Sequence, residues 1–68
     1  MSSVIRKIAE YLLKYWPKMS NWLKQAIITL AGSAIVDAIA RGLNALINYL
    51  STLSSAVIEA IAKLLGLL

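Results

Sequence analysis

The sequence predicts an all-α fold, a compact bundle of four short helices forming a single domain over residues 1–68. Three observations carry the prediction. Apolar residues recur at the 3.6-residue period along almost the whole chain and nowhere alternate with polar ones, which is the signature of helix and not of strand. The pattern is interrupted at Pro17, at Gly32-Ser33 and at Ser51-Thr52, and each break is only one or two residues long. Sixty per cent of the residues are hydrophobic, above the roughly 45–50% usual for a soluble domain.

The first helix is expected over residues 3–16, with Ser2 or Ser3 as its N-cap. Ile5, Ile8, Leu12 and Tyr15 form its stripe, widened by Val4, Ala9 and Trp16, while Arg6, Lys7, Glu10 and Lys14 fall off it. Pro17 lacks an N–H and pushes Trp16 away from helical geometry, so it ends this helix; it also suits the first turn of the next. The second helix is expected over 17–31. Met19, Trp22, Leu23, Ala26, Ile27 and Leu30 make its apolar face, with Lys18, Asn21, Lys24 and Gln25 opposite.

Gly32 as C-cap and Ser33 as N-cap introduce a third helix over 34–50. Its stripe is Ile35, Ile39, Leu43, Leu46, Ile47 and Leu50, and its polar edge is Asp37, Arg41, Asn44 and Asn48. Gly42 inside it costs up to about 1 kcal/mol against alanine and offers a close helix approach. A fourth helix is expected over 52–65, with Leu53, Val57, Ile58, Ile61, Leu64 and Leu65 inward, Ser54, Ser55, Glu59 and Lys63 outward, and Gly66 as its C-cap. Helices joined so tightly must pack as neighbours.

Composition excludes more chemistry than it suggests. There is no cysteine and no histidine, so neither a disulfide nor a Ser-His or Cys-His nucleophile can be built, and a metal would have only Glu10, Asp37 and Glu59. Each carboxylate has a basic residue four positions away, Arg6 or Lys14 for Glu10, Arg41 for Asp37 and Lys63 for Glu59, the spacing of solvated ion pairs on a helix face. An enzyme is not expected, and no cofactor is. No signal-peptide pattern opens the chain, because Glu10 and Lys14 interrupt the apolar run. The uncharged run 25–36 is too short to span a bilayer, and 42–58 carries six polar side chains.

The charge is modest but lopsided. Of the formal +4, all of it lies in residues 1–25, where Arg6, Lys7, Lys14, Lys18 and Lys24 face only Glu10; residues 26–68 are neutral. Both tryptophans and one of the three tyrosines share the stretch 14–25, K-Y-W-P-K-M-S-N-W-L-K-Q. Cations beside amphipathic aromatics are suited to an anionic lipid interface, where tryptophan settles at headgroup depth and lysine reaches the phosphates. The expected membrane-binding residues are therefore Arg6, Lys7, Lys14, Tyr15, Trp16, Lys18, Trp22 and Lys24. Between the tryptophans, Trp22 lies within an apolar stripe and is expected in the core, whereas Trp16 at the proline corner is the better interfacial candidate.

The run L-L-K-Y-W-P-K-M-S-N-W-L-K-Q-A-I-I-T-L-A-G, residues 12–32, resembles leaderless class II bacteriocins of the enterocin and aureocin-lacticin type, in which a short amphipathic helix ends in a lysine-aromatic-Trp-Pro step. The resemblance covers about residues 4–50 and rests on Lys14, Tyr15, Trp16 and Pro17 at the step, Lys18, Trp22 and Lys24 on the cationic helix, and Gly32 at the following break. It implies a saposin-like helical bundle, a secreted product translated without a leader and keeping Met1, and antimicrobial permeabilisation of anionic bacterial membranes. Two features depart from the pattern: the additional helix at 52–65 and a lower positive charge. Length and helix number are also similar to those of circular bacteriocins, in which apolar ends such as Leu67-Leu68 are joined to the first residue. Expected partners are anionic membrane lipids. Nucleic acid is not expected, since seven basic residues, one of them in the third helix, make a poor groove reader. The alternative from a different class is a structural or interaction protein, a helical bundle that forms a homo-oligomer through leftover apolar surface.

Overall fold

Four short interruptions divide the chain into five α-helices and one turn of 3-10 helix. The computed structural model describes residues 2–68, and helix is the only regular structure among them. The order is α1 (Ser2–Tyr15), the 3-10 turn (Trp16–Lys18), α2 (Asn21–Ala31), α3 (Ala34–Arg41), α4 (Leu43–Ser51) and α5 (Ser55–Leu64).

Ser2 and Ser3 already belong to α1, so neither stands before it as a cap; the expectations about Met1 and its joining to the C-terminal end lie outside the described residues. Pro17 stops α1 as expected, but it does not open α2. It sits inside the 3-10 turn, closed by the Met19 N–H donating to the Trp16 carbonyl at 3.2 Å. Met19 and Ser20 are then extended, and α2 starts four residues beyond the proline.

The expected four helices are five because Gly42 breaks the third. Its φ of +112° and ψ of −174° lie in a region that is essentially glycine's alone, and nothing comes within 4 Å of where a Cβ would stand. Gly42 is therefore a backbone corner and not the site of close helix approach. Its N–H closes α3 on the Ile39 carbonyl at 3.3 Å, and its carbonyl accepts the Leu46 N–H of α4 at 3.0 Å. The last break also moves. Ser51 and Thr52 end α4 by donating their hydroxyls to the Ile47 and Tyr49 carbonyls at 2.8 and 2.6 Å. Ser54 then caps α5, accepting from the Val57 N–H at 3.3 Å. Gly66 ends α5 with φ +75°; the Gly66 and Leu67 N–H groups reach the Lys63 and Ala62 carbonyls at 3.1 and 2.8 Å, the paired bonds of a Schellman cap.

One apolar cluster lies inside these helices. Ile5, Ile8, Ala9 and Leu12 of α1 meet Ile27 and Ala31 of α2, Ile35 and Ala38 of α3, Leu46 and Leu50 of α4, and Ile58, Ile61, Ala62 and Leu65 around α5. α1 is the axis of the packing, touching α3, α4 and α5, while α2 lies against α3 and α5. The exposed surface of 4096 Å² matches the roughly 4200 Å² of a folded monomer of this mass. The radius of gyration is 10.4 Å, against about 11 Å for a compact chain of this length.

Candidate membrane-binding site

All three carboxylates are engaged on their own helices. Arg6 meets Glu10 at 3.5 Å, Arg41 meets Asp37 at 3.0 Å and Lys63 meets Glu59 at 3.6 Å, all at i,i+4 and all solvent-exposed. Pairs of this kind stabilise by only a few tenths of a kcal/mol. Their larger effect is on the distribution of charge. Among the described residues, Lys7, Lys14, Lys18 and Lys24 have no carboxylate partner, so the net charge of the protein resides on four lysines of α1, the 3-10 turn and α2.

On α1, Arg6, Lys7, Glu10 and Lys14 occupy the arc opposite the buried Ile8 and Leu12, as the periodicity predicts. The last turn of α1 adds aromatic surface. Tyr11 and Tyr15 stack at i,i+4 with centroids 4.5 Å apart, and the Lys14 ammonium lies 5.4 Å from the Tyr15 ring centre. Tyr15, expected on the apolar stripe, is exposed at the last residue of α1.

The two tryptophans exchange the roles expected of them. Trp16 is half-buried and packs against the core cluster, whereas Trp22 is 69% exposed, more than any other large hydrophobic side chain among the described residues. The reason is a rotation of α2. Its apolar residues run from Trp22 to Ile28 around about 240° of the helix at 3.6 residues per turn, so several faces could have turned inward. The structure buries Ile27 and Ala31, and Trp22 stands about 160° around the helix from them. Leu30, at the edge of the expected face, is partly exposed as well.

That rotation brings Lys24 inward. It is half-buried, and its ammonium lies 5.5 Å from the centre of the Trp16 ring, a cation–π contact of about 0.5–1 kcal/mol that ties the first turn of α2 to the proline corner. This contact depends on the extended residues Met19 and Ser20, whose geometry no local spacing announces. The Tyr11–Tyr15 stack, in contrast, was readable from its i,i+4 spacing, although Tyr11 was not among the expected site residues. The structure thus joins Lys14 to Tyr15 and Lys24 to Trp16, offsets Arg6 with Glu10, and leaves Lys7 and Lys18 exposed. No single helix is long and apolar enough to cross a membrane. Compared with known proteins, the chain matches no family model, no curated sequence and no solved structure.

Proposed function

We propose that this protein is a secreted, bacteriocin-like antimicrobial that binds anionic bacterial membranes and permeabilises them. The observation that carries the reading is the exposed indole of Trp22, four residues after the exposed Lys18, in a chain whose unpaired side-chain cations among the described residues are Lys7, Lys14, Lys18 and Lys24. Each lysine near an anionic leaflet contributes about 1 kcal/mol, and inserting one tryptophan adds about 1.5–3 kcal/mol. The sum corresponds to a dissociation constant of about 10–100 μM. A compact all-helical chain with one apolar cluster is consistent with the saposin-like bundle that the bacteriocin resemblance implies.

The competing reading, self-association through leftover apolar surface, is favoured by the exposed Val36 and Leu68. The net charge of +4 disfavours self-association in general, because an identical copy brings the same charge. The experiment is tryptophan emission titrated with phosphatidylglycerol and phosphatidylcholine vesicles at low and high salt, with dye release read in the same samples. A blue shift with leakage from the anionic vesicles, weakened by salt, is the expected result. Equal and negligible responses to both lipids, with a tight oligomer in sedimentation, would transfer the protein to the self-associating class.

A further inference from the structure

We propose that the α2–α3 corner is a hinge, held bent by Tyr49, that straightens into one continuous helix over residues 21–41 when the protein enters an anionic membrane. The inference rests on the membrane-binding reading. Across Gly32 and Ser33 the chain bends by 105° from α2 into α3, and by length and composition alone the two together pass as a membrane-crossing segment. Lys24 lies near one end of it; at the other, Asp37 and Arg41 are paired at 3.0 Å. Between these charges the uncharged run measures about 18 Å as helix, so the lysine and arginine must snorkel and the bilayer must thin around it. Thinning of that kind is a direct route to leakage.

The hinge and its latch are both visible. Gly32 has φ +93°, and the Tyr49 hydroxyl from α4 donates to the carbonyl of Ala31, the last residue of α2. In an unbroken helix that same carbonyl would accept the Ile35 N–H, which at present turns to the Gly32 carbonyl at 3.1 Å. Tyr49 therefore ties to α4 the carbonyl that helix continuation would use. Because a carbonyl can accept two bonds, the tie opposes straightening by holding the end of α2 in place and not by excluding the Ile35 N–H. Water tolerates the corner, since it can solvate the Ser33 N–H, the one backbone group of Gly32 and Ser33 without a backbone partner. Hydrocarbon does not, because every backbone group there must be satisfied within the protein. This difference between solvents supplies the differential interaction that a change of state requires. α2 is also lightly held, burying only Ile27 and Ala31.

The absence of cysteine makes a clean test available. Spin labels at Asn21→Cys and Ala40→Cys, both exposed positions, should lie about 17 Å apart across the corner and about 28 Å apart along a straight helix. The labelled chain is measured by pulsed electron resonance in buffer and on phosphatidylglycerol vesicles, with Trp22 emission reporting binding in parallel. The short distance in buffer and the long one on vesicles is the expected result. Tyr49→Phe should raise the long population several-fold at equal lipid, and so should Gly32→Ala, whose Cβ would stand 2.9 Å from the Tyr49 hydroxyl. Binding with the short distance retained overturns the hinge and leaves membrane binding standing. Failure to bind overturns the reading beneath it, and the hinge with it. If Tyr49→Phe binds and leaves the two populations unchanged, the latch is wrong.

Discussion

Replacing Trp22 and Trp16 separately by alanine should divide membrane affinity from folding stability. Trp22 is 69% exposed. A tryptophan side chain offers up to about 250 Å², so about 170 Å² is free to meet lipid. Burying half of that area at interfacial depth, at about 25 cal/mol per Å², contributes about 2 kcal/mol, a factor of about 30 in partitioning. Trp22→Ala should therefore weaken binding to phosphatidylglycerol vesicles about 30-fold and shift the urea midpoint very little. Trp16→Ala removes a ring that packs on the core cluster and carries Lys24, so its effect should fall on stability, about 2–4 kcal/mol by the scale of buried aromatic truncations. Vesicle co-sedimentation and urea unfolding followed by circular dichroism separate the two. Trp22→Ala that partitions like the parent chain would refute the assignment of the interfacial anchor, whatever Trp16 does.

Three further substitutions probe the charge and the corners. Lys18→Gln removes one exposed, unpaired cation and should weaken anionic-vesicle binding about five-fold at low salt, with the difference closing in high salt as the Debye length shortens and every cation's attraction to the leaflet is screened; an equal loss on zwitterionic vesicles would contradict it. Gly42→Ala forces a side chain into a conformation that strains any L-residue, so it should destabilise by about 1–3 kcal/mol and lower the midpoint of thermal unfolding by about 4–8 °C for each kcal/mol. Ser54→Ala deletes the acceptor for the Val57 N–H and should cost about 1 kcal/mol, read from urea unfolding at unchanged vesicle affinity.

Helical class, the ion pairs and most of the core were legible because they depend on spacing within one element. Ile8, Leu12, Ile35, Leu46, Leu50, Ile58 and Ile61 lie on stripes that the 3.6-residue period defines, and all are fully buried. What was not legible depends on backbone dihedrals and on choices between equivalent faces. Gly42 in a helical pattern reads as a tolerated glycine until its φ is known. Ser51, Thr52 and Ser54 can all cap a helix, and the difference among them is which hydroxyl turns backward to α4 and which forward to α5. The candidate site suffered most. α2 is apolar around two thirds of its circumference, so its inward face was decided by contact with α3 and α5, and the decision exposed Trp22 and drew Lys24 over Trp16.

The last helix gives that arrangement its energetic sense. α5 and the residue after it supply Ile58, Ile61, Ala62 and Leu65 to the core, and α5 touches both α1 and α2, the two helices that carry the unpaired lysines. A chain of this size has a total stability of only about 3–10 kcal/mol, and burying one large apolar side chain contributes about 1.5–3 kcal/mol. α5 alone therefore accounts for a share of the folding free energy comparable with the whole margin. Its own charge is neutral, Lys63 being offset by Glu59, so it adds packing without adding attraction to lipid. Under the proposed function, a membrane would have to compete for α2 chiefly against the contacts of α5 and α3 and the Tyr49 bond to Ala31. On the proposed membrane-binding reading, the affinity available from four lysines and one tryptophan is of the same order as that competition, so the proposed balance between closed and inserted states would be sensitive to single side chains at the corner.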